Sequence, residues 1–74
     1  MFSLDKLKKN QSAKIEKIET DHLPLKLIEM GCLPGNNVEL IHIAPFNDPL
    51  YFIIDGCHVA IRKSTASKIK ISLL

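Results

Sequence analysis

The sequence predicts a small, mainly β barrel, and three observations lead to this fold class. Apolar residues alternate with polar ones over short segments, which is typical of half-buried strands. Asp55-Gly56 joins two apolar segments, and this dipeptide is a strong signal for a hairpin turn. Short strands in a chain of 74 residues cannot bury a two-faced sheet, so a closed or nearly closed barrel without exposed edges is favoured.

Two helical segments are expected among the strands. Residues 3–10 form one helical turn, because Ser3 can cap its first N–H groups and Asn10 suits a left-handed exit. The main helix is inserted after the first strand. Asp21 favours its cap position, and Gly31 is expected to end it.

Five strands are expected, at residues 13–19, 38–43, 50–54, 57–62 and 69–73. The alternation in the first strand breaks once near Glu16-Lys17, which a β-bulge accommodates. Pro45 and Pro49 forbid a central strand between the second and third, so a loop follows there. A short capped turn at residues 64–67 precedes the last strand. These elements together favour an SH3-like five-stranded barrel.

The core candidates are the apolar residues expected to face inward from these elements. They are Leu23, Leu27, Ile28, Val38, Leu40, Ile53, Val59, Ile61, Ile69 and Ile71. Gly31 and Gly35 are expected at positions where the backbone geometry excludes a side chain.

Composition and charge describe one globular domain over residues 1–74 and exclude several classes of function. Ten Lys and Arg against eight Asp and Glu leave a formal charge of +2, too small for a general nucleic-acid or lipid footprint. The lysines near the N-terminus lack interleaved aromatic residues, so a solvated lysine face is favoured over the alternative of nucleic-acid binding. No apolar run approaches the roughly 20 residues that span a bilayer. A cytoplasmic protein with two reduced cysteines is therefore expected.

No motif arranges a nucleophile with a His base and a carboxylate, so no enzyme activity is expected. The weak candidates for metal ligands are His42, His58 and Cys57, none of which forms a Cys-x-x-Cys or His-x-x-x-His pair. His42 and His58 are expected on adjacent strands, where they would hold a divalent ion weakly. The simpler interpretation makes Cys57 a small core hydrophobe and the histidines surface residues of strands.

A partner surface is expected where the main helix and the proline-rich loop carry exposed apolar residues. Loop aromatics and helix-end methionines suit adaptable apolar contacts. The candidate residues are Lys26, Glu29 and Met30 on the helix, with Phe46 and Asp48 on the loop. The alternative for Phe46 is that it folds back as a lid over one end of the barrel.

Three segments carry a resemblance to a known family. Residues 25–35 read LKLIEMGCLPG, residues 44–49 read APFNDP, and residues 55–63 read DGCHVAIRK. In this order and separation they resemble the FeoA family, the small cytosolic component of bacterial ferrous iron uptake, over nearly the whole chain. Asn10 and Asn47 stand where glycine is common in the family, and asparagine also takes positive φ readily.

The resemblance implies an SH3-like barrel without catalysis and without a tightly bound cofactor. It also implies an accessory role to the membrane GTPase-permease FeoB, which would hold the protein at the periphery of the inner membrane. The alternative is a stand-alone sensor that binds Fe²⁺ or another divalent transition metal transiently and changes its oligomeric state. Whether a homo-oligomer forms stays open.

Overall fold

The computed structural model describes residues 1–74 as six antiparallel strands in one sheet, with two short α-helices and one 3₁₀ turn. The strands are β1 (Phe2–Ser3), β2 (Ser12–Ile18), β3 (Asn37–Ile43), β4 (Leu50–Ile54), β5 (Cys57–Ile61) and β6 (Ile69–Leu73). The helices are α1 (Leu25–Glu29) and α2 (Lys63–Ala66), a 3₁₀ turn covers Leu4–Lys6, and Pro45–Asn47 is a turn with two left-handed residues. The strand order is β1-β6-β2-β3-β4-β5, so β1 and β5 form the two edges.

A single apolar core holds the sheet together. All 17 buried residues are apolar, and 16 of them form one cluster that draws on every strand from β2 to β6. Because residues from one sheet pack against each other, the sheet must fold over itself around that core. The predicted mainly β fold class is confirmed.

The first residues differ from the sequence-based expectation. Phe2–Ser3 pairs with β6 as a sixth strand, so the helical turn begins at Leu4 and lasts only three residues. Ser3 precedes this turn, but its side chain makes no capping hydrogen bond. Leu4 and Leu7 are buried, and Asn10 has a φ of 66°, which confirms the expected left-handed exit.

The strand β2 contains the predicted irregularity. Its register against β6 shifts between Ile15 and Lys17, which confirms a bulge near Glu16-Lys17. A second shift, between Leu40 and His42 of β3, was not expected. Both shifts turn the strand locally, as bulges do in small barrels.

The helix α1 is shorter than expected, with five residues. Asp21 is exposed and lies outside the helix, and Pro24 occupies the N-cap position without a side-chain hydrogen bond. The backbone N–H of His22 donates to Thr20 Oγ1 at 3.0 Å, so a local turn replaces the predicted cap. Gly31 ends the helical region with a φ of 98°, as expected.

Three of the core candidates are not fully buried. Leu23 is half-buried against the core, Ile28 is 38% exposed and Ile53 is half-buried. In so short a helix only Leu27 is buried. Ile53 faces outward because the alternate residues of β4, beginning at Leu50, point into the core.

The hairpin between β4 and β5 has the predicted turn. Asp55 and Gly56 have φ values of 49° and 80°, which fit a type I′ turn. Ile54 therefore pairs directly with Cys57, and the two strands stay in register to Leu50 and Ile61.

Candidate functional site

A groove of about 370 Å³ lies between α1 and the edge strand β5. Pro24, Lys26, Leu27 and Met30 line it on the helix side, and residues 58–62 with Thr65 line it on the strand side. Leu27 anchors the helix in the core, and Met30 packs half-buried against the same core.

The charged residues of the groove are basic. Lys26 and Arg62 line it, and no Asp or Glu does. Arg62 approaches Asp48 Oδ2 at 3.9 Å, a loose and exposed ion pair. An exposed pair of this kind contributes little stability, so Arg62 is free to meet a carboxylate from another molecule.

The edge strand β5 leaves backbone groups without partners. In an antiparallel ladder, hydrogen-bonded and non-bonded pairs alternate. Since the two-residue turn makes Ile54 and Cys57 a bonded pair, His58 and Ala60 direct their N–H and C=O groups away from β4. No backbone hydrogen bond outside the ladder involves either residue. Both are exposed, so this edge is accessible.

A second, shallower depression lies on the outer face of the same edge. It has a volume of about 230 Å³, and five of its six lining residues are hydrophobic. Tyr51 and Ile41 contribute to it, together with His58 and Ala60 of β5. The His42 ring lies 5.5 Å from the Tyr51 ring, tilted by 40°, and extends this partly apolar surface over β3.

Phe46 is the most exposed large apolar residue of the protein, at 98%. Its φ of 68° lies in the left-handed region, which a bulky side chain adopts only under strain. The alternative in which Phe46 folds back as a lid is wrong, because a ring covering one end of the barrel would be at least partly buried and this residue is 98% exposed. Asn47 has a φ of 64°, as its substitution for a common glycine led us to expect.

Asp48 joins the Phe46 loop to the rim of the groove. Its Oδ1 accepts a hydrogen bond of 3.0 Å from the backbone N–H of Lys63, at the start of α2. Its Oδ2 faces Arg62. The loop and the groove are thus neighbouring parts of one surface.

The structure brings together part of the expected partner surface. Lys26 and Met30 line the groove, and Asp48 reaches its rim through Arg62. Glu29 is exposed on α1 but does not line the groove. The sequence reasoning missed Arg62 and the free edge of β5. Only the strand order reveals that edge, and no local sequence signal carries it.

Two expectations are wrong here, the placement of the two histidines in the metal hypothesis and the burial of Cys57 in the simpler interpretation. His42 and His58 do not lie on adjacent strands, because β4 separates β3 from β5. Cys57 is exposed and not a core residue, whereas Cys32 is 1% exposed and belongs to the core. No group of three or more His, Cys, Asp or Glu side chains is placed to hold a metal ion. The histidines are surface residues of strands, as the simpler interpretation had it.

Comparison with known proteins decides the family. The family model described as the FeoA domain matches residues 2–73. The chain belongs to the FeoA family. The resemblance expected from residues 25–35, 44–49 and 55–63 is confirmed, and FeoA domains are associated with ferrous iron transport.

Relatives of known sequence or structure agree with this FeoA assignment. A Porphyromonas gingivalis Fe(2+) transport protein A/Fe(2+) transporter FeoB fusion protein is 33% identical over 49 residues, which cover 66% of this chain and 6% of the fusion protein. The solution structure of iron(II) transport protein A from Clostridium thermocellum is 30% identical, with a TM-score of 0.89, over 99% of this chain and 46% of that one.

A third relative supports the fold. The crystal structure of Stenotrophomonas maltophilia FeoA complexed with zinc, described as a procaryotic SH3 domain protein, has a TM-score of 0.79 and 23% identity over 97% of this chain and 91% of that one. The SH3-like prediction is therefore confirmed. FeoA is a transport-associated domain and not a known enzyme family. None of the helices of this chain has the length and apolar character needed to cross a membrane.

Proposed function

We propose that this FeoA domain is an accessory factor of ferrous iron uptake that binds the cytosolic face of a FeoB-type membrane GTPase. The P. gingivalis fusion supports the choice of partner, since it joins a FeoA-like segment and FeoB in one polypeptide. In the proposal, the protein is cytoplasmic and becomes peripheral at the inner membrane through this contact.

The observation that carries the proposal is the conformation of Phe46. A bulky ring that is 98% exposed contributes almost no burial to folding, and its backbone is strained by the positive φ. A strained residue whose side chain is not buried is typical of a functional position. Exposed aromatic residues are frequent binding anchors. Phe46 therefore contacts FeoB, with the groove beside it as the rest of the surface.

The reactive groups of the chain support a binding role over a catalytic one. Burial raises the pKa of the Cys32 thiol to about 11, so this residue holds its proton and is a poor nucleophile at neutral pH. The second thiol, Cys57, is exposed on the edge strand without a surrounding pocket of acid and base groups. The proposed function needs no bond-making step.

The variants Phe46→Gly and Phe46→Ala test this proposal. Both are expected to weaken binding to the purified cytosolic part of the FeoB protein by about thirtyfold or more, because the loss of a central aromatic anchor costs about 2 kcal/mol or more. Phe46→Gly should leave the free energy of unfolding within about 1 kcal/mol of wild type, since glycine accepts the positive φ. Surface plasmon resonance and urea unfolding measure the two quantities.

The matched control is Leu73→Ala, which removes a second exposed apolar side chain from β6, a strand that is not part of the groove. It should bind as wild type does. If the Phe46 variants keep their affinity within about twofold, or roughly 0.4 kcal/mol, the loop is not the contact surface.

Metal binding by the domain alone is the second candidate function. The zinc complex of the S. maltophilia relative favours it. In this chain the available ligands are scattered, with His42 and His58 on strands that do not pair. Binding of Fe²⁺ is therefore expected to be weak and transient, and an anaerobic Fe²⁺ titration that is unchanged in His42→Ala would remove that residue as a ligand.

A further inference from the structure

We propose that the free edge of β5 takes up an extended, acidic segment of the partner as an additional strand. The inference rests on the proposed function only for the identity of the partner, and the edge itself is a feature of this chain. The added strand would lie beside His58 and Ala60, next to the groove that α1 forms with β5.

The backbone of β5 supplies the first argument. His58 and Ala60 each direct one N–H and one C=O group away from β4, and no other part of the chain forms a backbone hydrogen bond with these groups. An exposed row of such groups is a template for another strand. Main-chain hydrogen bonds from this edge would provide the affinity of a strand-addition complex.

The two depressions on either side of the edge supply the second argument. Successive side chains of a strand point to opposite faces. A segment beside β5 would thus place one side chain in the 370 Å³ groove against Leu27 and Met30. The next would enter the 230 Å³ depression against Tyr51 and Ile41. His58 and Ala60 line both depressions, so both lie within reach of one added strand.

The basic residues of the groove indicate that the added segment is acidic. The groove contains Lys26 and Arg62 and no carboxylate, and the nearby Asp48 meets Arg62 only at 3.9 Å. A segment with acidic residues beside its apolar ones would complement this rim. Such charge complementarity selects the partner and speeds the encounter.

A second copy of this chain fits the edge less well. Its own β5 contains no Asp or Glu between Cys57 and Ile61, so it would bring no carboxylate from this strand to Lys26. It would also bring a second Arg62 to the same edge. Self-pairing is therefore an outcome that the experiment must distinguish.

Hydrogen exchange of the ¹⁵N-labelled protein tests the proposal directly. The probes are the purified cytosolic part of the FeoB protein and a synthetic peptide that alternates leucine with aspartate. The amides of His58 and Ala60 should exchange at least about tenfold more slowly in either complex, because they become hydrogen-bonded. The leucine–lysine counterpart of the peptide should give no such protection.

Variants of the edge and the rim provide the second readout. Ala60→Pro removes an outward-facing donor, which an edge strand tolerates, and should weaken binding of both probes by about tenfold, the equivalent of 1.4 kcal/mol. Ala60→Val keeps the N–H while it also replaces the alanine side chain, so it should bind more tightly than Ala60→Pro if the lost donor is the cause. Lys26→Glu should weaken binding to a similar extent, and the control Lys9→Glu, outside the groove, should not. Thermal unfolding confirms that each variant is folded.

The outcomes separate the two proposals. The strand addition is overturned if Ala60→Pro and Lys26→Glu bind FeoB as tightly as the unmodified chain does and the β5 amides of the unmodified chain are not protected in the complex. The accessory function would still stand in that case. Absence of FeoB binding with protection by the acidic peptide would overturn the partner and support the edge. Protection that grows with protein concentration alone would show a second copy on β5 and overturn the acidic segment as its occupant.

Discussion

At the scale of single residues, the two cysteines have opposite environments. Cys32 lies in the core between the end of α1 and β3, at 1% exposure, whereas Cys57 is exposed on β5. The sequence alone suggested the reverse for Cys57, because a cysteine in an apolar segment is usually buried. The strand places it next to a type I′ turn, where the chain leaves the core.

This contrast predicts selective alkylation. In the native protein at pH 8, iodoacetamide should modify Cys57 and leave Cys32 intact, because burial blocks access and raises the pKa of the Cys32 thiol to about 11. Mass spectrometry of the intact protein should therefore show one adduct, and two adducts in denaturant. The control Cys57→Ser should show none in the native state. Comparable native modification of both thiols would contradict the buried position of Cys32.

Phe46 is the residue that sequence reasoning described least completely. Its flanking prolines indicated a loop, and both an exposed and a folded-back position were consistent with that loop. The 98% exposure of Phe46 decides between them, and both Phe46 and Asn47 have positive φ values. A left-handed conformation at two successive residues without glycine depends on the whole turn, so a propensity for either residue alone does not reveal it.

At the scale of elements, two glycines with similar backbones have different surroundings. Gly31 has a φ of 98° and Gly35 a φ of 97°. A Cβ on Gly31 would meet the Cβ of Asp55 at 2.9 Å, whereas a Cβ on Gly35 would meet nothing within 4 Å. Gly31 thus lets the end of α1 approach the β4–β5 turn, and Asn36 Nδ2 donates to its carbonyl at 2.7 Å.

The pair predicts an ordered loss of stability. Gly35→Ala should lower the free energy of unfolding by about 1–3 kcal/mol, the cost of a strained backbone. Gly31→Ala should lower it further, because the Asp55 contact adds steric overlap to the same strain. Urea unfolding of the two variants measures both values. Equal losses would show that the turn moves away from the added methyl group.

Elements with local signals were predictable, and those that depend on neighbours were not. The Asp55-Gly56 hairpin and the bulge after Ile15 follow from turn chemistry and from a broken alternation. The short strand Phe2–Ser3 carries no such signal, because it exists only where β6 offers an edge. The predicted start of α1 at Asp21 was wrong, because the Thr20–His22 turn competes with capping by Asp21.

At the scale of the whole molecule, the strand order explains where function can reside. The sheet ends at β5, and the groove, the outer depression and the unpaired backbone groups all meet there. The sequence indicated a barrel with no exposed edges, and this part of the expectation was wrong, because β1 and β5 end the sheet without pairing with each other. Pairing over long sequence separations sets the order, and single-segment patterns contain no information about it.

The other edge of the sheet and the remaining depression offer less to a partner. The edge strand β1 has two residues, and a short edge is a poor template for pairing. The remaining depression, about 420 Å³ between the β2–β3 and β4–β5 regions, has only three hydrophobic residues among its ten. The combination of apolar walls, basic rim and free strand occurs on the β5 side, beside Phe46.

Anaerobic titration calorimetry of this chain into the purified cytosolic part of the FeoB protein tests the central claim most directly. The titration is made with and without Fe²⁺ and guanine nucleotide, and Fe²⁺ is also titrated into this chain alone. We expect saturable binding to the FeoB protein and no comparable saturation by Fe²⁺ alone. Saturable heat from Fe²⁺ together with no heat from the FeoB protein would contradict the account and favour a metal sensor.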